Sequence, residues 1–371
     1  MSKGRVFIGL SGGVDSALSA WLLQNKNYDV SAVFMKNWRE DFCPSATNTK
    51  SNYCTQDDDL NDAISVCDHL SISLEVVDFS KQYYERVFTH FLYEYKHGRT
   101  PNPDVFCNAY IKFDSFLNYA LSNGADYIAT GHYARVEKGP DGIYRLLKGT
   151  DLTKDQSYFL YRLNQYQLQH VIFPLGNLDK VTVRKLARKI GLPNANKRDS
   201  TGICSVGERP FREFLSSFLP AHPGPIYTLD GKYLGQHQGL MFHTIGQRRG
   251  LGIGGVRGYD ANLAWYVVSK DVNRNALIVC LGEHHPSLYC RIVDLGDLSW
   301  IGECPSDGSN CYLSQVRYHQ SDQLCEYYGF GTASGRVVFS SPQRAVAPGQ
   351  SLVIYDGAIC MGGGICVSME N

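Results

Sequence analysis

Residues 6–24 read VFIGLSGGVDSALSAWLLQ, and they set the architecture of the first part of the chain. The β-branched and aromatic run at 6–10 predicts a strand, and the pattern at 17–24 predicts a helix. The loop between them comprises Gly9, Leu10, Ser11, Gly12, Gly13, Val14, Asp15 and Ser16. Backbone N–H groups at such a turn, with a helix dipole behind them, bind phosphate. The loop ends in VDS without a lysine, so it is not a Walker A loop.

Two other interpretations of this loop were weighed. Gly9, Ser11 and Gly13 also satisfy G-x-S-x-G, the nucleophile elbow of α/β-hydrolases. An elbow follows several strands of a sheet that has already formed, and here only ten residues precede the serine. A turn with no ligand is the second alternative, but such turns rarely need two serines and an aspartate. The sequence therefore favours a phosphate-binding loop.

Short β-branched runs alternate with longer amphipathic ones through the first third of the chain. The predicted segments are 6–10, 17–24, 30–35, 59–70, 74–79, 83–94, 109–122 and 127–130, with two more helices at 166–173 and 182–190. This β-α-β-α order predicts an α/β fold with a parallel sheet covered by helices. Such sheets bind their ligands beyond the carboxyl ends of the strands.

The character of the sequence changes after about residue 220. Pro223-Gly224-Pro225 introduces a turn-rich segment, and after 286 the chain consists of short strand-like runs separated by turns. We predict three domains: a catalytic α/β domain over 1–220, a small connecting domain over 221–285, and an antiparallel β-barrel over 286–371. Gly250, Gly252 and Gly255 satisfy G-x-G-x-x-G, but no helix is predicted after them, so a dinucleotide site is not expected.

Composition limits the possible partners and the compartment. The 371 residues carry 36 Lys and Arg against 36 Asp and Glu, so any nucleic-acid surface must be a local patch. Gln247-Arg248-Arg249 is one candidate for such a patch, and a plain solvated turn is the equal alternative. No run reaches the length of a membrane span, and no secretory leader is evident. The 12 cysteines contain no CxxC pair. These features predict a cytoplasmic protein with reduced thiols and no membrane partner.

Two of the cysteines lie in unusual settings. Cys107 follows the prolines of PNPDVFC and is predicted at or just before a helix N-terminus, where the dipole favours a thiolate. Asp104 can reach the same space as an acid or base. Cys204 lies in a polar loop that follows Lys197 and Arg198, so it is predicted to be exposed and ionised. For both cysteines the alternative is an ordinary buried thiol.

The motifs together identify a family. SGGVDS resembles the pyrophosphate-binding loop of the PP-loop ATPases, which cleave ATP between the α- and β-phosphates. The whole set resembles the tRNA-specific 2-thiouridylase family; it consists of SGGVDS, PNPDVFCNAYIKF, ATGHYAR, KDQSYFLY, RDSTGICSVGERPF, TIGQRRGLGIGG and AVAPGQSLVIYDG. These segments run from residue 9 to residue 357 and therefore span nearly the whole chain.

The resemblance implies a PP-loop fold and a reaction. ATP would adenylate the 2-carbonyl oxygen of the wobble uridine in a tRNA anticodon loop, releasing pyrophosphate. Cys204 would carry a persulfide whose sulfur replaces the oxygen, giving 2-thiouridine and AMP. Cys107 would be the partner thiol, either releasing the product as a Cys107–Cys204 disulfide forms or freeing hydrosulfide that attacks instead. The sulfur would come from a persulfide-donating relay protein or a cysteine desulfurase.

The resemblance also assigns binding residues. Met35 and Gly131 would join the glycine loop in the ATP site, and Asn102 and Pro103 would shape the pocket beside Asp104. Contacts to tRNA would fall on His132, Lys154, Asp155, Gln156, Arg317, Tyr318 and Gln350. Mg²⁺ is expected with the triphosphate, with Asp15 the only carboxylate suggested as a ligand and no metal site otherwise. The polar segment 42–55 is expected to form a loop near the nucleotide, with no role assigned to Cys43 or Cys54.

Two rival functions remain open at this point. A different PP-loop ligase would form AMP with a small carboxylate or amide and would not need tRNA. A non-catalytic RNA-binding protein with a degenerate nucleotide fold is the other alternative, and the intact SGGVDS argues against it.

Overall fold

The computed structural model describes residues 2–42, 56–199, 202, 204, 206–207, 210–308 and 312–370. Almost all of the predicted loop at 42–55, including Cys43 and Cys54, lies outside the described residues. The described residues form three sheets, of five, four and eight strands. In the described part of the chain, no helix combines the length and the apolar character needed to cross a membrane.

The first part of the chain contains a parallel five-stranded sheet with helices around it, together with a separate antiparallel hairpin. Its elements are β1 (Arg5–Gly9), α1 (Val14–Asn25), β2 (Asp29–Lys36), α2 (Gln56–Leu70), β3 (Leu74–Asp78), α3 (Ser80–Tyr83), a π-helical segment (Tyr84–Phe88), α4 (Thr89–Lys96), α5 (Pro103–Cys107), a second π-helical segment (Asn108–Ser115), α6 (Phe116–Ser122), β4 (Tyr127–Ala129), β5 (Ala134–Lys138), β6 (Tyr144–Lys148), α7 (Gln165–Gln169), β7 (Val171–Ile172), α8 (Lys180–Lys189) and α9 (Phe211–Phe218). The predicted α/β class is confirmed.

The strand order explains where a ligand binds. The sheet runs β3-β2-β1-β4-β7 with every pair parallel. The chain builds outward from β1 to β3 and then crosses to the other side of β1 to form β4. This reversal of direction makes the carboxyl ends of β1 and β4 the crevice of the sheet. The glycine loop follows β1, and Thr130-Gly131 follows β4, so both segments meet there.

Two of the predicted helices differ markedly from those in the structure. The helix predicted to start at 109 begins at Pro103, because proline is favoured in the first turn of a helix. The single helix predicted over 166–173 is wrong: α7 ends at Gln169, and Val171–Ile172 forms the edge strand β7 beside β4. A short β-branched pair next to a sheet edge gains more from strand pairing than from one further helical turn.

The second part of the chain holds a four-stranded sheet. Its strands are β8 (Gly224–Thr228), β9 (Tyr233–His237), β10 (Trp265–Asp271) and β11 (Ala276–Leu281), in the order β10-β11-β8-β9. Residues 250–255 lead into turns rather than a helix, so the structure offers no dinucleotide fold at this glycine motif.

The last part of the chain is a closed antiparallel barrel, as predicted. Its six strands are β12 (Tyr289–Trp300), β13 (Tyr312–Gln315), β14 (Gln323–Phe330), β15 (Ser334–Arg344), β16 (Ser351–Asp356) and β17 (Ile359–Glu370), and pairing of β12 with β17 closes it. The sequence missed β12, whose acidic residues and glycine weaken the strand pattern. The hairpin β5–β6 of the first part pairs with β17, which joins the barrel to the α/β part.

All three parts meet at the segment that leads into α5. The backbone N–H of Thr100 donates to the Pro348 carbonyl at 2.8 Å, and the hydroxyls of Thr100 and Thr244 are 3.3 Å apart. The side-chain amide of Gln350 donates to the Thr100 carbonyl at 2.7 Å. The second and third parts of the chain therefore fix the position of Asn102 and the start of α5.

Candidate active site

The glycine loop forms a tight passage between β1 and α1. Gly13 is the N-cap of α1 in an extended conformation. Gly12 has φ +75, and a Cβ built there would lie 2.4 Å from the carbonyl oxygen of Asp59. The loop therefore needs glycine at this position for both its conformation and its close approach to α2. The N-terminal end of the twelve-residue α1 faces the crevice with its positive dipole, which suits a phosphate.

Hydroxyl groups hold the loop in shape. The N–H of Ser11 donates to Ser16 Oγ at 3.2 Å, and Ser16 Oγ donates to the Gly13 carbonyl at 3.1 Å. A Cβ built on Gly131 would lie 2.7 Å from the Ser16 nitrogen. A Cβ built on Gly9 would lie 2.9 Å from Met35 Cε. The structure thus brings Gly131 and Met35 to the glycine loop, and the missing side chains of Gly9 and Gly131 allow this close packing.

The Asp15 carboxylate does not fit a metal ion. Lys180 Nζ lies 2.8 Å from Oδ1 and 2.7 Å from Oδ2, and the hydroxyl of Tyr133 donates to Oδ1 at 2.8 Å. An ammonium already occupies the oxygens that Mg²⁺ would need. Among the described residues, no group of three or more His, Cys, Asp or Glu is arranged to hold a metal. Lys180 is a functional candidate that the sequence analysis missed, because it lies 165 residues from Asp15.

An ionic cluster ties the segment before Cys204 to the glycine loop. Asp199 lies 2.8 Å from Lys180, 3.1 Å from Lys154 and 2.7 Å from Arg184. Burial alone would raise the pKa of Asp199, but hydrogen bonds from Lys180 and Lys154 lower it to about 2. Because Lys180 also binds Asp15, a single ammonium connects the glycine loop to the segment that carries Cys204.

The two predicted cysteines lie side by side. Their sulfur atoms are 3.4 Å apart. The N–H of Cys204 donates to Asp104 Oδ1 at 3.2 Å, and the hydroxyl of Tyr83 donates to the Cys204 carbonyl at 2.7 Å. Cys107 is fully buried and Cys204 is partly exposed. Three predicted residues from segments about a hundred positions apart therefore form one cluster, which is open at Cys204.

The expected thiolate at Cys107 is wrong. The helix begins at Pro103, so Cys107 lies in the interior of a helical run and not at its N-terminus. The hydrogen bond with Cys204 and burial both raise the pKa of Cys107 well above its ordinary value. Cys107 is therefore a protonated thiol in this arrangement.

The cation expected beside Cys204 is also a different one. Lys197 is paired with Asp59 at 2.6 Å and with Asp62. The side chain that hydrogen-bonds the Cys204 thiol is instead Lys112, from the π-helical segment Asn108–Ser115. The signal for Lys112 was present in PNPDVFCNAYIKF, but an ordinary α-helix would have placed it away from Cys107.

Asp104 is tuned toward neutrality. Burial raises its pKa to about 6, and the neighbouring Cys204 adds to the rise, although Lys112 opposes it. A carboxyl group with this pKa can accept or donate a proton near neutral pH. Its carboxylate accepts a hydrogen bond from the backbone N–H of Cys204 and therefore lies at the cysteine pair, in the space that the sequence analysis expected it to reach.

His132 follows Gly131 and lies close to Lys112. It is 8% exposed, and its Nδ1 is 2.8 Å from Thr130 Oγ1. Burial, with the charge of Lys112, lowers its pKa well below the ordinary value, so it is neutral. The preceding residue, Gly131, packs on the glycine loop. Gly131 therefore contacts the glycine loop, and the next residue lies near the lysine that hydrogen-bonds Cys204.

The other residues predicted to contact tRNA also make internal contacts. Asp155 is buried and accepts from the Gly149 N–H and the Ser157 hydroxyl. The remaining contacts are Lys154 to Asp199, the Gln156 side chain to the Tyr133 N–H, Arg317 to the Arg344 carbonyl, Tyr318 against the Phe159 ring, and Gln350 to Thr100. Gln156 thereby holds the backbone of Tyr133 through both its side chain and its own N–H.

Comparison with known proteins agrees with this architecture. The sheet and its glycine loop place the first part of the chain in the PP-loop class of nucleotide-binding folds. The family models that match are the tRNA methyl transferase HUP domain at residues 4–208, the tRNA methyl transferase PRC-barrel domain at 212–281 and the aminomethyltransferase beta-barrel domain at 291–366.

Full-length relatives define the family more closely. A tRNA-specific 2-thiouridylase MnmA of Nitrosomonas europaea is 52% identical over 371 residues, covering 100% of both chains. The protein of the same name from Nitrosomonas eutropha is 53% identical and covers 98% of this chain and 99% of its own. The chain belongs to the tRNA-specific 2-thiouridylase family, which is a family of tRNA sulfurtransferases. A solved NMN synthetase from Francisella tularensis is 19% identical, with a TM-score of 0.33 over 56% of this chain and 69% of its own.

Proposed function

We propose that this protein catalyses ATP-dependent 2-thiolation of the wobble uridine of tRNA. The observation that carries the proposal is the 3.4 Å separation of the Cys107 and Cys204 sulfurs. Gly131 contacts the glycine loop, and the neighbouring His132 lies near Lys112, which hydrogen-bonds Cys204. A nucleotide site and a two-thiol site within reach of one substrate suit a reaction that first activates an oxygen and then replaces it with sulfur.

The first step solves a problem of reactivity. The 2-carbonyl of uracil is urea-like and a weak electrophile, and oxide is a very poor leaving group. The carbonyl oxygen attacks the α-phosphorus of ATP, the bond to the β-phosphate breaks, and pyrophosphate leaves. The glycine loop and the N-terminal end of α1 bind the departing pyrophosphate. Met35 and Gly131 border the adenosine. Mg²⁺ would be held by the oxygens of the triphosphate, where it would neutralise their charge, while Asp15 stays paired with Lys180.

The second step uses both thiols. The terminal sulfur of a Cys204 persulfide attacks the activated carbon, and AMP leaves with the oxygen. Cys107 then attacks the Cys204 sulfur, so that the bond to the transferred sulfur breaks and 2-thiouridine is released. The alternative route has Cys107 attack the persulfide first and free hydrosulfide, which then attacks the carbon. Both routes leave a Cys107–Cys204 disulfide, which a cytosolic dithiol reduces before the next turnover.

Asp104 acts as the acid or base beside the thiols. Cys107 must lose its proton to attack, and its buried position makes an ionised thiol costly until a base accepts the proton. The Asp104 carboxylate adjoins the pair through its bond with the Cys204 N–H. Because its pKa is about 6, it is mostly ionised at neutral pH and can accept that proton.

The tRNA enters from the open side of Cys204. An anticodon loop is single-stranded, so its base can turn into a pocket at modest cost. We assign the pocket to Asn102, Pro103 and His132, and the remaining contacts to Lys154, Asp155, Gln156, Arg317, Tyr318 and Gln350. The sulfur donor is a persulfide-carrying relay protein or a cysteine desulfurase, and the reaction takes place in the cytoplasm.

Analysis of nucleosides by mass spectrometry tests the proposal. Unmodified tRNA is incubated with the full chain, ATP and a persulfide source, and 2-thiouridine is measured after digestion. We expect it with the native protein and with Cys304→Ser, an exposed cysteine that serves as the control. We expect none with Cys204→Ser, although that variant should still release pyrophosphate when tRNA is added. Absence of 2-thiouridine with the native protein, or its formation by Cys204→Ser, would contradict the proposal.

A further inference from the structure

The position of Lys112 depends on an unusual helix. Residues Asn108–Ser115 form a π-helix that continues α5 without a break. In an α-helix, residues five apart point about 140° away from each other. A π-helix closes its turn with an i to i+5 hydrogen bond, so residues five apart lie on the same side of the helix. Lys112 is five residues after Cys107 and therefore shares its face, toward the cysteine pair.

The groups that raise the pKa of the Lys112 ammonium can all carry a negative charge. Its side chain hydrogen-bonds Cys204, and Cys107 and Asp104 are the other groups that act on its charge. The remaining polar groups around the pair are the Tyr83 hydroxyl, which is bonded to the Cys204 carbonyl, and the neutral ring of His132. Among the described groups that face the pair, Lys112 is the one with a positive charge at neutral pH.

The protonation of the neighbours shows where the negative charge resides. Burial by itself would lower the pKa of Lys112, but Cys204, Cys107 and Asp104 raise it above the ordinary value. Cys107 retains its proton because the hydrogen bond with Cys204 and burial both raise its pKa. The coupling between the two groups is reciprocal. An interaction that raises the pKa of the ammonium by stabilising its charge also stabilises the charge of a neighbouring thiolate. Of the two sulfurs, Cys204 is the one that hydrogen-bonds the Lys112 ammonium.

We propose that Lys112 is the positioning residue that holds Cys204 as a thiolate, with Cys107 as the protonated neighbour. The proton released by Cys204 passes to solvent through its exposed side. A second part of the inference rests on the proposed function. The same ammonium binds the terminal sulfur of the Cys204 persulfide, which is also an anion. The π-helix is then the structural device that places a cation beside the sulfur-carrying cysteine.

The pH dependence of Cys204 alkylation tests this proposal. The reduced full chain is treated with iodoacetamide between pH 5 and pH 10, and the Cys204 peptide is quantified by mass spectrometry. We expect the native thiol to titrate below the ordinary range of about 8.5. In Lys112→Met the midpoint should rise by about one unit or more, which reduces the alkylation rate at pH 7 by roughly tenfold. Lys112→Arg should retain the low midpoint.

Matched controls keep the result interpretable. Lys96→Met removes an exposed lysine at the end of α4 and should leave the titration unchanged. Thermal unfolding of each variant shows whether it is folded. If Lys112→Met does not fold, the native midpoint decides the matter, because a native Cys204 that titrates at or above the ordinary range overturns the proposal. An unchanged midpoint in folded Lys112→Met overturns it as well.

The alkylation experiment uses neither ATP nor tRNA. Its result is therefore distinguishable from a failure of the proposed function. A shifted midpoint without 2-thiouridine formation would retain Lys112 as the positioning residue and reject the thiolation. Formation of 2-thiouridine with an unshifted midpoint would retain the reaction and reject the role of Lys112.

Discussion

The Nζ atom of Lys180 lies 2.7 Å from Asp15 Oδ2, at the first turn of α1. The same ammonium lies 2.8 Å from Asp199, five residues before Cys204. One ammonium thus pairs with the Asp15 carboxylate of the phosphate-binding loop and with the Asp199 carboxylate in the segment that leads to Cys204. Any change at Lys180 should affect both halves of the site.

Replacing Lys180 with methionine should reduce tRNA-stimulated pyrophosphate release on the order of tenfold. The change removes a charge-assisted hydrogen bond of about 1.5–3 kcal/mol and leaves Asp15 without its ammonium partner, while Asp199 keeps Lys154 and Arg184. Release is measured with a coupled phosphate assay at saturating tRNA. Lys189→Met, at the exposed end of α8, is the control. Equal loss in both variants would mean that the ion pair has no special role.

Replacing Gly131 with alanine should weaken ATP binding and destabilise the fold by about 1–3 kcal/mol. The new Cβ would lie 2.7 Å from the Ser16 nitrogen and 2.9 Å from the Asp15 carbonyl carbon, and both are backbone atoms that cannot easily move. Urea unfolding and the KM for ATP measure the two effects. Gly255→Ala, where a Cβ meets no atom within 4 Å, should change neither. A Gly131→Ala variant with native KM would show that the loop tolerates the added atom.

Asp104→Asn should become more stable relative to the native protein as the pH rises from 4 to 7. The pKa of Asp104 is raised from 3.8 to about 6, so its contribution to stability is complete below pH 4 and is lost as the pH passes 6. The variant does not pay this ionisation cost. The difference in the free energy of unfolding should therefore change by about 1–3 kcal/mol across the window. Urea titrations under reducing conditions measure it, and a difference that is constant with pH would contradict the raised pKa.

Mild oxidation should link Cys107 to Cys204. Their sulfurs are 3.4 Å apart, and a disulfide needs about 2.05 Å, so a small movement suffices. Treatment with oxidised glutathione followed by peptide mapping without reductant should recover the linked pair ahead of other combinations. Cys304→Ser should give the same product. Recovery of Cys204 only as a mixed disulfide with glutathione would count against the resolving role of Cys107.

Much of the site was predictable because its signals are local. Gly12 and Gly13 predict a strand-to-helix turn. The prolines before Cys107 predict the start of a helix, although the helix starts at Pro103, six residues before the predicted position 109. The barrel was predictable from short runs between turns. The strand β12 was missed because its pairing with β17 and β15 compensates for a weak local pattern.

The amino-acid sequence by itself determined the glycine loop, the two cysteine motifs, the order of the three folds and the family. Each of these features depends on residues that are close together in the sequence, because preferences for turns and strands act over a few positions. Only the tertiary structure decided which sulfur keeps its proton, which lysine faces the pair, and why Asp15 does not fit a metal ion. Those properties depend on burial and charge, and the groups that set them come from segments as much as 165 residues apart.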